Sequence, residues 1–228
     1  TSFAVITDKG TYQACEAELK AYQETLGAEG LPTFIVYNDW KKPEDVKKVI
    51  AKLYKKNNLE GVVFVGNVPI AMIRKAQHMT SAFKMDEVEH PFRESSVPSD
   101  RFYDDFDLKF DFLKQDSVEN NFFYYNLAIE SPQKIQCDIY SARIKAIDNG
   151  EDAYTQISRY LKKAIAEHKS GNKLDQFFSY TGDGSYSNSL VAWTPETHTI
   201  REQMPKVFDR EGRARFIRYN FSEYPKDD

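Results

Sequence analysis

The hydrophobic and polar positions of the first third of the chain alternate between two repeating patterns. Short apolar runs rich in β-branched residues predict three strands, at Phe3–Thr7, Thr33–Tyr37 and Gly61–Gly66. The third run is apolar throughout, which is typical of a strand buried on both faces of a parallel sheet. Strands separated by single helices and short connections favour right-handed parallel crossovers. We therefore expect an α/β fold with three layers, in which helices flank a mostly parallel sheet.

Two helices are predicted between these strands. The first covers Tyr12–Leu26 and is expected to end at Gly27. The second begins at Pro43, where the acidic Glu44 and Asp45 interact favourably with the helix dipole. Its apolar positions recur every three or four residues and predict one buried stripe, formed by Val46, Val49, Ile50, Leu53 and Tyr54. The lysines of this helix are interpreted as a solvated face, formed by Lys47, Lys48, Lys52, Lys55 and Lys56.

After residue 70 the alternation gives way to a long excursion. The runs Phe110–Phe112 and Phe122–Ala128 are separated by a polar turn and predict a β-hairpin. Cys137–Ile144 predicts a further strand. The α/β fold is therefore expected to carry a hairpin excursion before its last strand.

The periodicity also divides the chain into two predicted units. A helix from Glu151 to Lys169 is expected to close an amino-terminal unit of residues 1–170. Residues 171–228 are expected to begin a second α/β unit. It would contain a strand at Gln176–Tyr180, a helix that begins at Thr194, and a strand at Arg215–Phe221. Two strands and one helix cannot bury their faces alone. We therefore expect the second unit to be incomplete and the chain to be part of a longer protein.

The composition narrows the classes of function. Hydrophobic residues make up 41% of the chain and aromatic residues 14%, which indicates a folded protein rather than a disordered one. The 31 basic and 35 acidic residues give a formal net charge of −4, which disfavours a nucleic-acid partner. No segment approaches the roughly 18 consecutive apolar residues of a membrane span, so none is predicted.

The cysteines and histidines do not form a recognisable catalytic or metal-binding pattern. Cys15 and Cys137 are too few for a disulfide framework or a zinc site. We expect two buried thiols, with a bridge between them as the alternative. Neither has a histidine near it in the sequence, which disfavours a catalytic thiolate. His168 is interpreted as a structural imidazole on the apolar side of its helix, and His198 as a surface residue.

A loop rich in glycine and hydroxyl side chains spans Thr181–Ser189. Its backbone N–H groups are of the kind that cradle an anion. It lacks the lysine of a phosphate-binding loop, and the lone Gly66 is the only dinucleotide-like feature elsewhere. The alternative interpretation is a flexible loop between a strand and a helix.

The stretch SSVPSDRFYDDFDLKFDFL interleaves five aspartates with five aromatic residues. In an extended segment, Asp105 and Asp107 would share one face, with Phe106 opposite. Carboxylates at this spacing, together with Asp104 or backbone carbonyls, are candidate Ca²⁺ ligands. The stretch lacks the glycine and the distal glutamate of an EF-hand. The alternative is a solvated turn that is anchored by its aromatic residues.

Four segments taken together resemble the amino-terminal portion of gingipain-type cysteine peptidases. They are LGAEGLPTFIV, PEDVKKVIAKLYKKNNLEGVVFVGNVP, PSDRFYDDFD and CDIYSARI with its following helix. They occur in the order of the family, over roughly residues 1–170. The chain departs from the family pattern at Asn67, where Asp is usual, and at Lys109–Phe110, where Gly-Asp is expected. It also departs at Ser141–Ala142, which replaces a small residue and a glycine before Arg143.

The resemblance implies a caspase-like fold, with a non-catalytic amino-terminal subdomain and a catalytic subdomain beginning near Leu174. In that family the catalytic dyad is a histidine in a GHG-type turn and a cysteine on a later strand tip. Neither motif occurs in this chain, whose histidines are His78, His90, His168 and His198. The resemblance therefore implies a secreted or cell-surface endopeptidase that acts on protein or peptide substrates, of which this chain is an inactive portion.

Two other functions remain open on the sequence. One is a non-catalytic pseudoenzyme, or a module that binds a protein or calcium through the Asp/aromatic stretch; no cofactor other than Ca²⁺ at Asp105 and Asp107 is expected. The other is a Rossmann-like binder of a small ligand, which would use Gly66 and the Thr181–Ser189 loop.

Overall fold

The computed structural model of the protein describes residues 1–75, 88–132 and 136–170, together with Glu202. The chain divides into two units, Thr1–Gly171 and Asn172–Asp228. The elements predicted after residue 171, including the Thr181–Ser189 loop, lie outside the described residues.

The described residues of the first unit form two four-stranded sheets. The strands are β1 (Ser2–Asp8), β2 (Thr33–Asn38), β3 (Leu59–Val65), β4 (Ile70–Ile73), β5 (Val97–Pro98), β6 (Phe110–Gln115), β7 (Phe122–Leu127) and β8 (Tyr140–Ile144). The first sheet has the order β2-β1-β3-β8, and its strands are all parallel. The predicted α/β class, with a parallel sheet and flanking helices, is confirmed.

The second sheet has the order β5-β4-β7-β6. Strands β6 and β7 pair antiparallel, so the predicted hairpin is confirmed. Strand β4 was not predicted; it pairs parallel with β7, and Ile70 lies opposite Phe122. All four residues of β4 are buried. The run Ile70–Ile73 is too short to show the alternation that identifies a strand, and its partner β7 lies about fifty residues further along the chain.

The helices connect the strands and pack on the two faces of the first sheet. They are α1 (Lys9–Ala14), α2 (Glu16–Ala28), α3 (Pro43–Asn57), α4 (Arg101–Asp104) and α5 (Ala153–Ser170). The prediction of a single helix over Tyr12–Leu26 was wrong, because the chain breaks at Cys15 between α1 and α2. Gly27 lies inside α2. The left-handed residue after the helix is Gly30, with φ of 87°, a conformation that favours glycine.

The two central strands of the first sheet, β1 and β3, are buried on both faces because they are mostly apolar. Ala4 and Ile6 of β1 pack with Val46 and Ile50 of α3 in one core. The alternate residues of β1 pack against α2 and α5 in a second core, formed by Phe3, Val5, Cys15, Leu19, Leu26, Val63, Val65, Ile157 and Leu161. Full burial of one large aliphatic side chain contributes about 1.5–3 kcal/mol. These two cores hold β8 and its neighbours in a fixed position.

The interpretation of the α3 lysines as one solvated face was wrong for Lys47. Its amino group donates to the carbonyl oxygens of Asp105, at 3.2 Å, and Leu108, at 3.5 Å. The nitrogen also lies 5.2 Å from the centroid of the Phe102 ring. Burial lowers the pKa of Lys47, against the opposing effect of Asp105. Lys47 therefore fastens α3 to the loop that follows α4.

Candidate functional site

Arg143 on β8 joins the two sheets. One guanidinium nitrogen, Nη2, lies 2.8 Å from Oδ1 of Asp100. The guanidinium also donates to the carbonyl oxygens of Val68, at 2.8 Å, and Pro69, at 3.2 Å. Its central carbon lies 4.7 Å from the centroid of the Phe64 ring. The planar donor fork of arginine suits this arrangement, because it can serve several acceptors in fixed directions.

A second carboxylate, that of Asp104 in α4, binds the same face of β8. Oδ2 of Asp104 accepts from the Ser141 hydroxyl at 2.5 Å and lies 2.6 Å from a guanidinium nitrogen of Arg101. Asp100 and Asp104 are four residues apart, whereas Ser141 and Arg143 are two residues apart on one face of a strand. We call these five residues, Asp100, Arg101, Asp104, Ser141 and Arg143, the Arg143 network.

Asp104 is the unusual member of the Arg143 network. Its side chain is fully buried, and its Oδ1 atom has no hydrogen-bond partner among the described residues. Burial raises the pKa of Asp104 to about 6, and the Ser141 hydroxyl and the Arg101 charge oppose this shift. A protonated Asp104 would bury less charge, so this carboxyl group can change its protonation state in mildly acidic solution.

The two calcium-ligand candidates lie in different environments. Asp105 is buried, and its Oδ1 accepts from the backbone N–H groups of Asp107 and Leu108, at 3.2 Å and 3.3 Å. Its Oδ2 accepts from the N–H group of Gln136 at 2.9 Å. Asp107 is exposed. The segment is therefore not extended, and the expected shared face for Asp105 and Asp107 does not form.

Asp105 thus acts as a structural carboxylate that holds the loop after α4. In the described parts of the chain, no group of three or more His, Cys, Asp or Glu side chains is arranged to hold a metal ion. Calcium binding by Asp105 and Asp107 stays a prediction.

The aromatic residues of the same stretch form core rather than an exposed strip. Tyr103 is fully buried, and its hydroxyl donates to the carbonyl oxygen of Pro69 at 2.7 Å. Phe102 packs on Tyr125, with ring centroids 4.7 Å apart. The Tyr125 hydroxyl donates to a carboxylate oxygen of Glu44 at 2.9 Å. Burial raises the pKa of Tyr103 and of Tyr125.

The carboxyl edge of the parallel sheet, where α/β proteins commonly bind ligands, is filled by protein atoms near Gly66. Oδ2 of Asp8 accepts from the N–H group of Asn67 at 2.7 Å, and Oδ1 accepts from that of Thr11 at 2.9 Å. Gly66 has φ of 82°, and an added Cβ would stand 2.1 Å from the Thr11 hydroxyl oxygen. The Asp8 carboxylate would also repel a phosphate, so this turn does not favour the nucleotide-type interpretation of Gly66.

The cysteines are both free thiols in different environments. Cys15 is buried at the break between α1 and α2, and its thiol lies 3.5 Å from the carbonyl oxygen of Tyr154. Burial raises the pKa of Cys15. Cys137 is exposed and contacts the Arg101 guanidinium, so the expectation of two buried thiols was wrong for Cys137. It precedes β8, which begins only at Tyr140.

The described histidines pair with carboxylates. Nδ1 of His168 lies 2.9 Å from Glu29, and Nδ1 of His90 lies 3.5 Å from Glu94. His168 is exposed, whereas the sequence placed it on the buried side of α5. His78 and His198 lie outside the described residues.

Sequence reasoning treated PSDRFYDDFD and CDIYSARI as separate motifs and missed the Arg143 network that joins them. The sequence does contain a signal for this network. Asp100 and Asp104 are four residues apart, about one helical turn, while Ser141 and Arg143 are two residues apart on one strand face.

In the described ranges, no helix has the length and apolar composition that a membrane span requires. Comparison of the chain with protein-family models, curated proteins and solved structures gave no significant match.

Proposed function

We propose that the chain is the amino-terminal, non-catalytic subdomain of a secreted, gingipain-type cysteine endopeptidase, together with the start of its catalytic subdomain. The observation that carries this proposal is the position of Arg143. Its guanidinium binds Val68 and Pro69 of GVVFVGNVP, and Asp100 of PSDRFYDDFD, while Arg143 itself lies in CDIYSARI. Three of the four segments on which the resemblance rests therefore meet at one side chain.

The sheet is compatible with the proposed fold. Four parallel strands in the order β2-β1-β3-β8, with helices packed on both faces, agree with a three-layer caspase-like subdomain. The subdomain is a scaffold in this proposal. Its Arg143 network fixes β8 against the second sheet, and the catalytic part of the longer protein follows in the chain.

The proposed chemistry belongs to the longer protein. There a cysteine thiolate attacks the peptide carbonyl, a histidine transfers the proton to the leaving amine, and backbone N–H groups stabilise the oxyanion. In this chain Cys15 is buried with a raised thiol pKa, which opposes thiolate formation. The described histidines pair with glutamates. The 228-residue chain alone is therefore inactive in this proposal.

The decisive experiment is to sequence the gene beyond the codon for Asp228 and to express the extended protein. We expect a GHG-type turn, a later cysteine, and covalent labelling of that cysteine by a biotinylated peptidyl chloromethyl ketone. Replacing the later cysteine by alanine should abolish labelling, whereas the matched change Cys137→Ser should not. The proposal fails if the extended frame lacks the His/Cys pair. It also fails if the 228-residue chain cleaves peptides and loses this activity on Cys15→Ala or Cys137→Ala.

A further inference from the structure

The loop between β8 and α5 contains the one asparagine–glycine pair of the sequence. Of the ten glycines, only Gly150 follows an asparagine, Asn149. Both residues are exposed. Gly150 has φ of 82°, in the left-handed region. No atom from elsewhere in the described chain lies within 4 Å of the position where a Cβ would stand, so the space beside this peptide group is open.

The side chain of Asn149 is held by two hydrogen-bond donors. Its Oδ1 accepts from the backbone N–H group of Glu151 at 3.1 Å and from Nε2 of Gln156 at 3.0 Å. The backbone donor lies two residues ahead, so this bond folds the side-chain carbonyl back across the Gly150 peptide group. It also identifies the bonded atom as the amide oxygen, because the amide nitrogen cannot accept. The side-chain carbonyl of Asn149 is therefore fixed next to the main chain of Gly150.

These two donors favour nucleophilic addition at Cγ of Asn149. Negative charge develops on Oδ1 as a nucleophile adds to Cγ, and N–H groups already directed at that oxygen stabilise the charge. The Gly150 nitrogen is the nucleophile that the chain itself supplies, because its attack on Cγ closes a five-membered ring. Its N–H group has no hydrogen-bond partner among the described residues, so its reaction costs no backbone hydrogen bond of the described structure.

We infer that Asn149 is a site of spontaneous deamidation, which modifies the loop between β8 and α5. The Gly150 nitrogen loses its proton to solvent and forms a bond with Cγ of Asn149. The bond between Cγ and Nδ2 then breaks, and ammonia leaves with a proton from solvent, which gives a cyclic imide. Water adds to one of the two imide carbonyls, the C–N bond of that carbonyl breaks, and the nitrogen regains a proton. The product is an aspartyl or an isoaspartyl residue, and the only co-reactant is water.

Deamidation changes the contacts that Gln156 of α5 makes with this loop. Gln156 also bonds Ile147: its Nε2 donates to the Ile147 carbonyl oxygen at 2.9 Å, and its Oε1 accepts from the Ile147 N–H group at 3.2 Å. An aspartyl product keeps an oxygen acceptor for Gln156. In the isoaspartyl product the main chain runs through the former side chain and is one methylene longer, so the acceptor no longer stands where Oδ1 stood. We therefore expect the isoaspartyl form to loosen the first turn of α5, which begins at Ala153. This inference does not depend on the proposed peptidase function.

The test is to age the 228-residue chain in ¹⁸O-labelled water at physiological pH and temperature, and to follow each asparagine by mass spectrometry of proteolytic peptides. We expect Asn149 to be the first asparagine to lose ammonia and incorporate ¹⁸O, and fragmentation by electron transfer to detect both products. The same chain unfolded in urea lacks the donors of Glu151 and Gln156, so Asn149 should react in the native chain at least as fast as in urea. Faster reaction in urea would overturn the inference, and so would earlier modification of any other asparagine in the native chain.

The variant Gln156→Glu removes the Nε2 donor and keeps a side-chain oxygen, so the loss of ammonia from Asn149 should slow at least about threefold. The matched control Gln23→Glu removes an Nε2 donor in α2, which lies 2.6 Å from the Thr33 carbonyl oxygen, and should leave the rate unchanged. Circular dichroism checks that both variants fold. Hydrogen exchange in the first turn of α5 should be faster in the aged, isoaspartyl chain than in the fresh chain or in the Asn149→Asp variant. An unchanged rate in Gln156→Glu, or equal exchange in all three chains, would overturn the inference.

Discussion

Asp100 and Arg143 lie 43 positions apart in the sequence, and their charged groups approach to 2.8 Å. The pair is largely removed from solvent, since 23% of the Asp100 side chain and 15% of the Arg143 side chain are exposed. The same guanidinium caps two carbonyl oxygens of the turn before β4. Arg143 therefore couples the edge strand of the first sheet to the start of the second sheet.

The variant Arg143→Met should lower the free energy of unfolding by about 3 kcal/mol, because it leaves Asp100 and two carbonyl oxygens without their donor. Urea unfolding of the single and double variants with Asp100→Asn measures the coupling between the two residues. We expect a coupling energy above about 1 kcal/mol. The exposed pair Glu151–Arg159 is the matched control and should show little coupling. Additive effects of Arg143→Met and Asp100→Asn would contradict this prediction.

The early strands of the first sheet could be predicted from the sequence because each one is a short apolar run that can be recognised without knowing its partner. Phe3–Thr7 and Gly61–Gly66 are almost entirely apolar, which is typical of strands covered on both faces. The amphipathic pattern of α3 likewise marked its buried residues Val46 and Ile50. These signals depend on neighbours within one turn or one strand.

Strand β4, its pairing with β7 and the Arg143 network depend on contacts between distant residues, so local periodicity does not reveal them. Lys47 has the same sequence context as the exposed lysines of α3, and only the loop after α4 determines its burial. Asp105 resembled a metal ligand because carboxylates bind both cations and backbone N–H groups. The structure gives it three N–H donors, which sequence spacing alone does not predict.

Gly66 should tolerate no side chain. A Cβ there would stand 2.1 Å from the Thr11 hydroxyl and 2.6 Å from an Asp8 carboxylate oxygen, at a φ of 82°. We expect Gly66→Ala to lower the free energy of unfolding by at least about 2 kcal/mol, through steric overlap and backbone strain. Gly27→Ala is the matched control. Gly27 lies in α2 with no atom near its Cβ position, so this change should stabilise the protein by up to about 1 kcal/mol.

Denaturant titrations of both glycine variants test this contrast. A Gly66→Ala protein as stable as the parent chain would show that the turn can open away from Thr11 and Asp8. Protein atoms would then not fill the carboxyl edge of the parallel sheet near Gly66.

The two thiols should differ strongly in reactivity. Cys137 is exposed beside the Arg101 guanidinium, whereas Cys15 is buried and burial raises its pKa. Because the thiolate is the reacting species, Ellman's reagent should label one thiol quickly in the native protein and the second only on unfolding. Cys137→Ser should remove the fast phase, and Cys15→Ser should leave it. Equal rates for both thiols, or no labelling before reduction, would contradict the free and unequal thiols of the structure.

The stability of the protein should report the titration of Asp104. Its pKa is about 6 in the folded protein and 3.8 in a solvated chain, so the folded state binds the proton more tightly. Relative to Asp104→Asn, the parent chain should therefore gain stability as the pH falls from 7 to 5, by no more than about 1.4 kcal/mol per pH unit. Urea unfolding at both pH values measures the difference, with the exposed Asp111→Asn as control. If the parent chain gains no stability relative to Asp104→Asn between pH 7 and pH 5, or loses some, Asp104 remains ionised in the folded protein.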